Sequence, residues 1–217
     1  MIKASEELIP YFEKAGQTQK LLKDEILYIQ GDDSSNIYLI AKGRVRLYFI
    51  GSDGNQITYR IMGERQLIGE SAFLGMVSRP VTVRAVNNVT LISCKVDALL
   101  PFLQRSPELI RAVLSLLTDN YNALCSHICR LSIYNSTQRI ASYLVDHTTQ
   151  DERGIGVHNG ILPYTHAELG GCLNLNRVTV TRILHDFEEK QLVRLGRKQI
   201  QVIDPEGLRQ IVLQRHS

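Results

Sequence analysis

The sequence predicts an α+β chain in three successive parts: a β-rich N-terminal half, one long helix, and a helical C-terminal segment ending in a β-hairpin. Three observations carry this reading. Between Gln19 and about Lys95, short β-rich runs alternate with glycine turns. After Ser106, apolar residues repeat with strict 4-3 spacing. Between Thr165 and Glu188, two capped helical stretches flank an asparagine-bearing turn, and two strand-like runs follow.

The bulk numbers bound the possibilities. A chain of 217 residues is long enough for two modest domains. No apolar run approaches the ~20 residues that span a bilayer, and the start, MIKASEELIPYFEKAG, has no signal-peptide core. The expected place is the cytoplasm, with no membrane partner. Net charge is only +3, so any affinity for a polyanion must come from local clustering. The four cysteines, Cys94, Cys125, Cys129 and Cys172, are too few and scattered for a disulfide framework. They contain no Cys-x-x-Cys pair.

Residues 1–16 read as a short amphipathic helix. The β-rich runs are Glu25–Gln30, Asn36–Ile40, Val45–Ile50, Gln56–Met62, Gln66–Gly69, Val81–Ala85 and Val89–Cys94. Gly31-Asp32-Asp33 and Ser52-Asp53-Gly54-Asn55 mark turns between them. Many short strands at close spacing predict a small antiparallel barrel or double-sheet jelly roll over residues 1–105. Such an interior can hold one small effector.

A short helix is expected from Val96 to Phe102. The long one starts with Ser106 as cap and Pro107 at the first helical position. Within it Leu114, Leu117, Tyr121, Leu124, Ile128 and Leu131 form an a/d seam, which Ile110 extends backwards. An a/d-only stripe suits a parallel helix pair, so residues 106–134 are read as a dimerisation helix; the alternative is burial against its own domain. Cys125 and Cys129 lie four apart beside this seam. Two copies would bring four thiolates near one axis, the alternative reading of a zinc site or redox switch.

Asn135 caps the next helix, with Gln138 completing an Asn-x-x-Gln box. Ile133-Tyr134-Asn135 is then a hinge, followed by a helix over Thr137–Asp146, a polar loop Thr148–Gly160 and the run Ile161-Leu162-Pro163-Tyr164. Thr165 and Glu168 form a capping box. Asn174 sits where the chain must turn sharply and tolerates the left-handed conformation. Asn176 caps the second helix. Val180, Ile183, Leu184 and Phe187 form one apolar face, leaving Arg177, Val178, Thr179, Thr181 and Arg182 on the other side or near the helix start. This is a helix-turn-helix, whose second helix enters the DNA major groove. Strand-like runs Leu192–Arg194 and Gln199–Ile203, around Gly196-Arg197-Lys198, form a wing. Residues 135–217 are therefore read as a DNA-binding domain, with Thr165 and Asn176 at the helix starts. Arg194, Arg197 and Lys198 are placed to touch phosphates.

The order of barrel, long helix, hinge and winged helix-turn-helix resembles the cyclic-AMP receptor protein / fumarate-nitrate regulator (Crp/Fnr) superfamily of bacterial transcription factors over nearly the whole chain. Gly31, Gly43 and Gly69 stand where that family's cyclic-nucleotide-type barrel has glycines. Leu67-Ile68-Gly69-Glu70, followed by Ser71 and later by Arg79, resembles its phosphate-binding cassette. Thr165–Leu184 resembles its helix-turn-helix signature. The resemblance implies a homodimer on a palindromic operator in double-stranded DNA, acting with RNA polymerase, and a small effector held by Gly69, Glu70, Ser71, Arg79 and Pro80 together with Leu124 and Cys125 of the dimer helix.

The departures concern the effector. Where cyclic-AMP-binding members follow the arginine with Ser or Thr, this chain has Pro80, which supplies neither hydroxyl nor amide donor. Where they place a Thr-Ser pair on the dimer helix, it has Leu124 and Cys125. Cyclic AMP is therefore not expected, and the effector is unknown. Arg79 and Glu70 either anchor an anionic or zwitterionic ligand or pair with each other. No histidine precedes His127 and no cysteine precedes Cys94, so neither haem nor an iron–sulfur cluster is expected. The same lack of histidine disfavours a cupin-like metalloenzyme. A ligand-independent DNA-binding regulator with a scaffold-only barrel is the remaining alternative. In well-studied members a glutamate stands at the position of Val178 and accepts from cytosine. Valine cannot accept, but its methyls can pack on thymine.

Overall fold

The computed structural model describes residues 9–74, 78–148 and 160–214. The start of the expected N-terminal helix and nearly all of the expected 148–160 loop lie outside these residues. The chain forms two compact units, Ile2–Asn122 and Ala123–Ser217.

In the first unit, helix α1 (Ile9–Ala15) precedes eight strands: β1 (Gln17–Leu21), β2 (Ile26–Tyr28), β3 (Asn36–Lys42), β4 (Val45–Ile50), β5 (Gln56–Met62), β6 (Leu67–Ile68), β7 (Thr82–Ala85) and β8 (Val89–Lys95). A 3-10 turn, Glu70–Leu74, follows β6, and α2 (Val96–Leu103) follows β8. The strands do not close into a barrel. They form two antiparallel sheets, β1-β8-β3-β6 and β2-β7-β4-β5, as in a jelly roll. The inner faces of both sheets share one apolar core that includes Leu21, Ile40, Val45, Ile68, Val83 and Leu91. The outer face of the first sheet supplies Ile37, Leu39 and Cys94 to a second cluster with Phe12, Leu99 and Leu109 from helices. Strand β3 is thus apolar on both faces, which explains its unbroken buried run from Ile37 to Ile40.

Helix α3 (Pro107–Ile133) starts at the predicted proline, and the Ser106 hydroxyl accepts from the Leu109 amide at 3.3 Å. Its first turns pack on the jelly roll through Leu109, Ala112 and Val113. Its last turn belongs to the second unit. There Arg130 is buried, donates from Nε to Ser142 Oγ at 3.2 Å and pairs with Asp146. The boundary between the two compact units falls inside α3, after Asn122.

The second unit continues with α4 (Ser136–Asp146), β9 (Ile161–Leu162), α5 (His166–Leu173), α6 (Arg177–Glu189), β10 (Val193–Gly196), β11 (Gln199–Val202) and α7 (Pro205–Leu213). The expected capping box at Asn135 forms, with both Asn135 and Gln138 bonded reciprocally. Arg139 reaches back to the carbonyls of Leu131 and Tyr134, each at 2.9 Å, and so satisfies the open end of α3. Helix α7 was not anticipated, although Asp204 caps it and Pro205 opens it. It packs on α4 and receives the Gln138 amide on the carbonyls of Val212 and Gln214.

Candidate functional site

The helix-turn-helix is built from local bonds. The Thr165 hydroxyl accepts from the Glu168 amide at 3.1 Å, and Glu168 accepts from the Thr165 amide at 2.7 Å. Asn174 adopts the left-handed conformation (φ 52°, ψ 49°). The turn passes so close to α5 that a Cβ on Gly170 would lie 2.5 Å from the Leu175 carbonyl oxygen, so only glycine fits there. Asn176 accepts from the Thr179 amide at 2.8 Å and starts α6. Val180, Ile183, Leu184 and Phe187 are all buried.

That burial turns the opposite face outward. Arg177 and Arg182 are exposed, and Val178 is 78 % exposed, an unusual state for a valine. Thr181 is half-buried and its hydroxyl lies 2.8 Å from His166 Nδ1, so this side chain is engaged between the helices. The Thr165 hydroxyl is likewise committed to its cap. The wing forms as β10 and β11, paired from Val193↔Val202 to Gly196↔Gln199, with Arg197 and Lys198 at its tip and Lys198 left-handed (φ 56°). Glu188 ties α6 to the wing by accepting from the Leu195 amide at 2.8 Å. Strand β9 adds a third strand beside β11. Among the described residues, Arg177, Arg182, Arg194, Arg197 and Lys198 have no ion-pair partner, which leaves five cations turned to solvent.

In the jelly roll, Arg79 is only 2 % exposed. Its Nη1 donates to the Gly69 carbonyl at 3.0 Å and to Ser71 Oγ at 3.4 Å, and its Nη2 donates to the Asn36 carbonyl. Its guanidinium lies 4.3 Å from the centre of the Tyr28 ring. Burial pushes the Tyr28 hydroxyl well above the usual tyrosine range, against the pull of Arg79. Gly69 (φ 85°) makes this possible: a Cβ there would stand 2.7 Å from Arg79 Nη1. Among the described ion pairs none joins Arg79 to a carboxylate, and its Nε has no hydrogen-bond partner. Pro80 follows at an exposed bend. Glu70 instead accepts from Asn120 of α3 at 3.3 Å.

Asn120 carries no mark in the sequence pattern. It also accepts from Arg60 Nη1 on its side chain at 3.0 Å, and from the Tyr59 hydroxyl on its carbonyl at 3.2 Å. A lone polar residue on a helix has no sequence signal that names its partners; only the sheet brought to it does. Leu124 and Cys125 lie further along α3, in the second unit, Leu124 exposed and Cys125 half-buried.

Among the described residues, most of the seam is exposed. Leu114 and Ile128 are each 55 % exposed and Tyr121 66 %, with Ile110 and Leu124 also exposed and Leu117 and Leu131 half-buried. Cys125 and Cys129 are free thiols, the latter exposed. Among the described residues no helix is long and apolar enough to cross a membrane, and no cluster of three or more His, Cys, Asp or Glu is arranged for a metal.

A jelly roll, a long helix and a winged helix-turn-helix, in this order, define a class of DNA-binding transcription regulators. Comparison with known proteins agrees. Residues 18–106 match the cyclic nucleotide-binding domain and residues 138–211 the Crp-like helix-turn-helix domain. The chain is 28 % identical over 185 residues to the cyclic AMP receptor protein of Thermus thermophilus, covering 85 % of this chain and 83 % of that one. It is 28 % identical over 199 residues to the global nitrogen regulator of Synechococcus elongatus, covering 89 % of each. Its fold is similar to that of FixK2 from Bradyrhizobium japonicum (TM-score 0.77, 17 % identity, 93 % of this chain and all of that one). The chain belongs to the Crp/Fnr superfamily of bacterial transcription regulators.

Proposed function

We propose that the chain is a cytoplasmic homodimeric regulator that binds a palindromic operator and is gated by an anionic small molecule held in the jelly roll. The observation that carries this is one helix with two jobs. Helix α3 bonds Glu70 and Arg60 through Asn120 and presents the exposed apolar seam one residue later at Tyr121. Pairing two seams would bury that apolar area and set two recognition helices about one DNA turn apart. The buried Arg79, matched only by neutral oxygens and a ring face, supports an anionic effector, because a buried guanidinium gains most from a carboxylate or phosphate.

Cyclic AMP, named in the Thermus relative, fits this pocket less well than in its binders: Pro80 removes the hydroxyl and amide that would follow the arginine. Arg177 and Arg182 read base edges, Val178 packs on a thymine methyl, and Arg194, Arg197 and Lys198 hold the backbone. RNA polymerase is the expected downstream partner. No enzymatic role is proposed.

The contacts that satisfy Arg79 also favour a second reading, in which it is an internal pillar and the jelly roll a scaffold. Operator affinity of the purified protein, with its bound small molecules identified by native mass spectrometry, separates the two. A co-purifying anion whose removal weakens or strengthens DNA binding supports gating. Tight, specific DNA binding by an empty protein, unchanged by added cyclic AMP or small carboxylates, supports the scaffold. Absence of any specific DNA site rejects both.

A further inference from the structure

The outer face of the sheet β2-β7-β4-β5 holds a pair of arginines far from the seat of Arg79 in the pattern of the fold. The register places Ile26, Arg84, Arg46 and Ile61 side by side in one row across the four strands. Side chains alternate along a strand, and Val45, Leu47, Val83 and Ala85 fill the inner core, so Arg46 and Arg84 point the other way. The next row on the outer face is Thr82, Tyr48 and Thr58. All three are buried, and Tyr48 is only 1 % exposed.

Both guanidiniums lie over that one ring, Arg46 at 4.6 Å from its centre and Arg84 at 5.8 Å. Like charges directly opposite each other on neighbouring strands repel, and nothing acidic stands in either row to offset them. The acidic residues that border these strands, Glu25 and Glu64, accept from the amides of Leu22 and Gly43. Arg46 is anchored: its Nε donates to Thr58 Oγ1 at 2.7 Å and its Nη1 to Gln56 Oε1 at 3.0 Å. Arg84 is not. Among the described residues it makes no hydrogen bond or ion pair, and its Nε is buried without an acceptor. Both residues are half-buried, so the pair can still be reached from solvent.

We propose that Arg46 and Arg84, seated on Tyr48, form a second anion site on the outer face of the jelly roll, which takes a phosphate group from free phosphate or a phosphomonoester. A guanidinium partly withdrawn from water and short of an acceptor gains most from an oxyanion. Two side by side match a dianion better than a single carboxylate, and a phosphomonoester carries about −1.5 to −2 charge near neutral pH. Arg84 supplies the edge that has no protein acceptor. Arg46, held by Thr58 and Gln56, supplies the fixed second charge. The site is separate from that of Arg79, which stacks on Tyr28 and Tyr38 of the inner core. It does not depend on whether the jelly roll gates DNA binding.

The test titrates the full chain, in a chloride buffer free of other oxyanions, and follows the Nε–H resonance of Arg84 by NMR. Loss of that resonance in Arg84→Lys assigns it, since lysine lacks the group. Inorganic phosphate should shift it saturably. Glycerol phosphate should do the same if the site takes esters, and its failure beside a phosphate response assigns the site to free phosphate. Arg46→Gln should weaken the phosphate Kd by about tenfold or more, the usual effect of losing a charge-assisted hydrogen bond. A response confined to the Tyr28 ring, a shift that chloride reproduces at equal ionic strength, or an equal phosphate Kd in Arg46→Gln would each overturn the proposal. So would a shift with succinate and none with phosphate, which would make the site one for dicarboxylates. Thermal unfolding checks that each variant folds. If Arg46→Gln does not, Arg46→Lys, which keeps the charge and loses the planar fork, must still weaken the phosphate Kd, and its failure to do so is equally decisive.

Discussion

His166 and Thr181 join the two helices of the helix-turn-helix, with the imidazole Nδ1 2.8 Å from the threonine hydroxyl. The bond ties α5 to α6 and engages the Thr181 hydroxyl within the domain. Replacing Thr181 with Val should preserve shape and cost about 1 kcal/mol, the usual worth of one internal hydrogen bond. It should lower Tm with little change in which operator sequences bind. A changed sequence preference at unchanged Tm would show instead that the hydroxyl reaches the DNA.

Stability should fall in acid through two histidines. His166 is held below the usual histidine range by burial and then by the charges of His185 and Arg177, and His127 by burial and then by Arg130. Each therefore takes up a proton more readily unfolded than folded. Their cost is absent well above the unfolded value of about 6.5 and grows as pH drops through it toward the lower folded values. Thermal unfolding from about pH 7.5 to about pH 5.5 should show Tm falling, with a smaller fall in His166→Gln and His127→Gln. Parallel curves for parent and variants would exclude both residues as the source.

Val178 should set one base of the half-site. Its exposure at the start of α6 leaves methyl groups and no acceptor turned to solvent. Val178→Glu should shift preference at the facing base pair toward cytosine by about 1–3 kcal/mol and leave the other positions alone. Selection of bound sequences from a random pool measures this. An identical consensus for parent and variant would place Val178 off the bases.

The wing should act without regard to sequence. Arg197 and Lys198 sit exposed at the tip of the β10–β11 hairpin. Arg197→Ala with Lys198→Ala should weaken all sites in similar proportion. It should also lower the slope of log K against log salt by about 0.9 for each phosphate that is no longer neutralised. Titrations at several salt concentrations report this slope.

Gly69→Ala should disturb the seat of Arg79. The residue is left-handed, and an added methyl meets Arg79 Nη1 at 2.7 Å and the Asn36 carbonyl oxygen at 2.9 Å. About 1–3 kcal/mol of backbone strain is expected, with displacement of the guanidinium. Denaturant unfolding measures the loss, and an unchanged midpoint would mean that the turn relaxes freely.

Much of this molecule was legible from its residues because much of it is local. Capping boxes at Asn135 and Thr165, the left-handed Asn174 and the apolar face of α6 each depend on side chains within a few positions of one another, and all four formed as predicted. Strands β4 and β5 matched to the residue because their apolar runs end at sharp turns. Strand β1 was missed because its polar residues lie exposed at a sheet edge, where pairing with β8 alone makes them a strand. Helix α7 was missed because its short, mixed sequence has one fully buried anchor, Leu208.

The residue pattern by itself thus determined the order of elements, the exposed side of α6 and the apolar seam, since periodicity and capping are properties of neighbouring residues. Only the tertiary structure decided that Arg79 bonds to the carbonyls of Gly69 and Asn36, that Thr181 is spent on His166, and that Asn120 stands between Arg60 and Glu70. Those partners lie 10 to 60 residues apart, and no local rule chooses among the many polar groups that a fold can bring within hydrogen-bond distance.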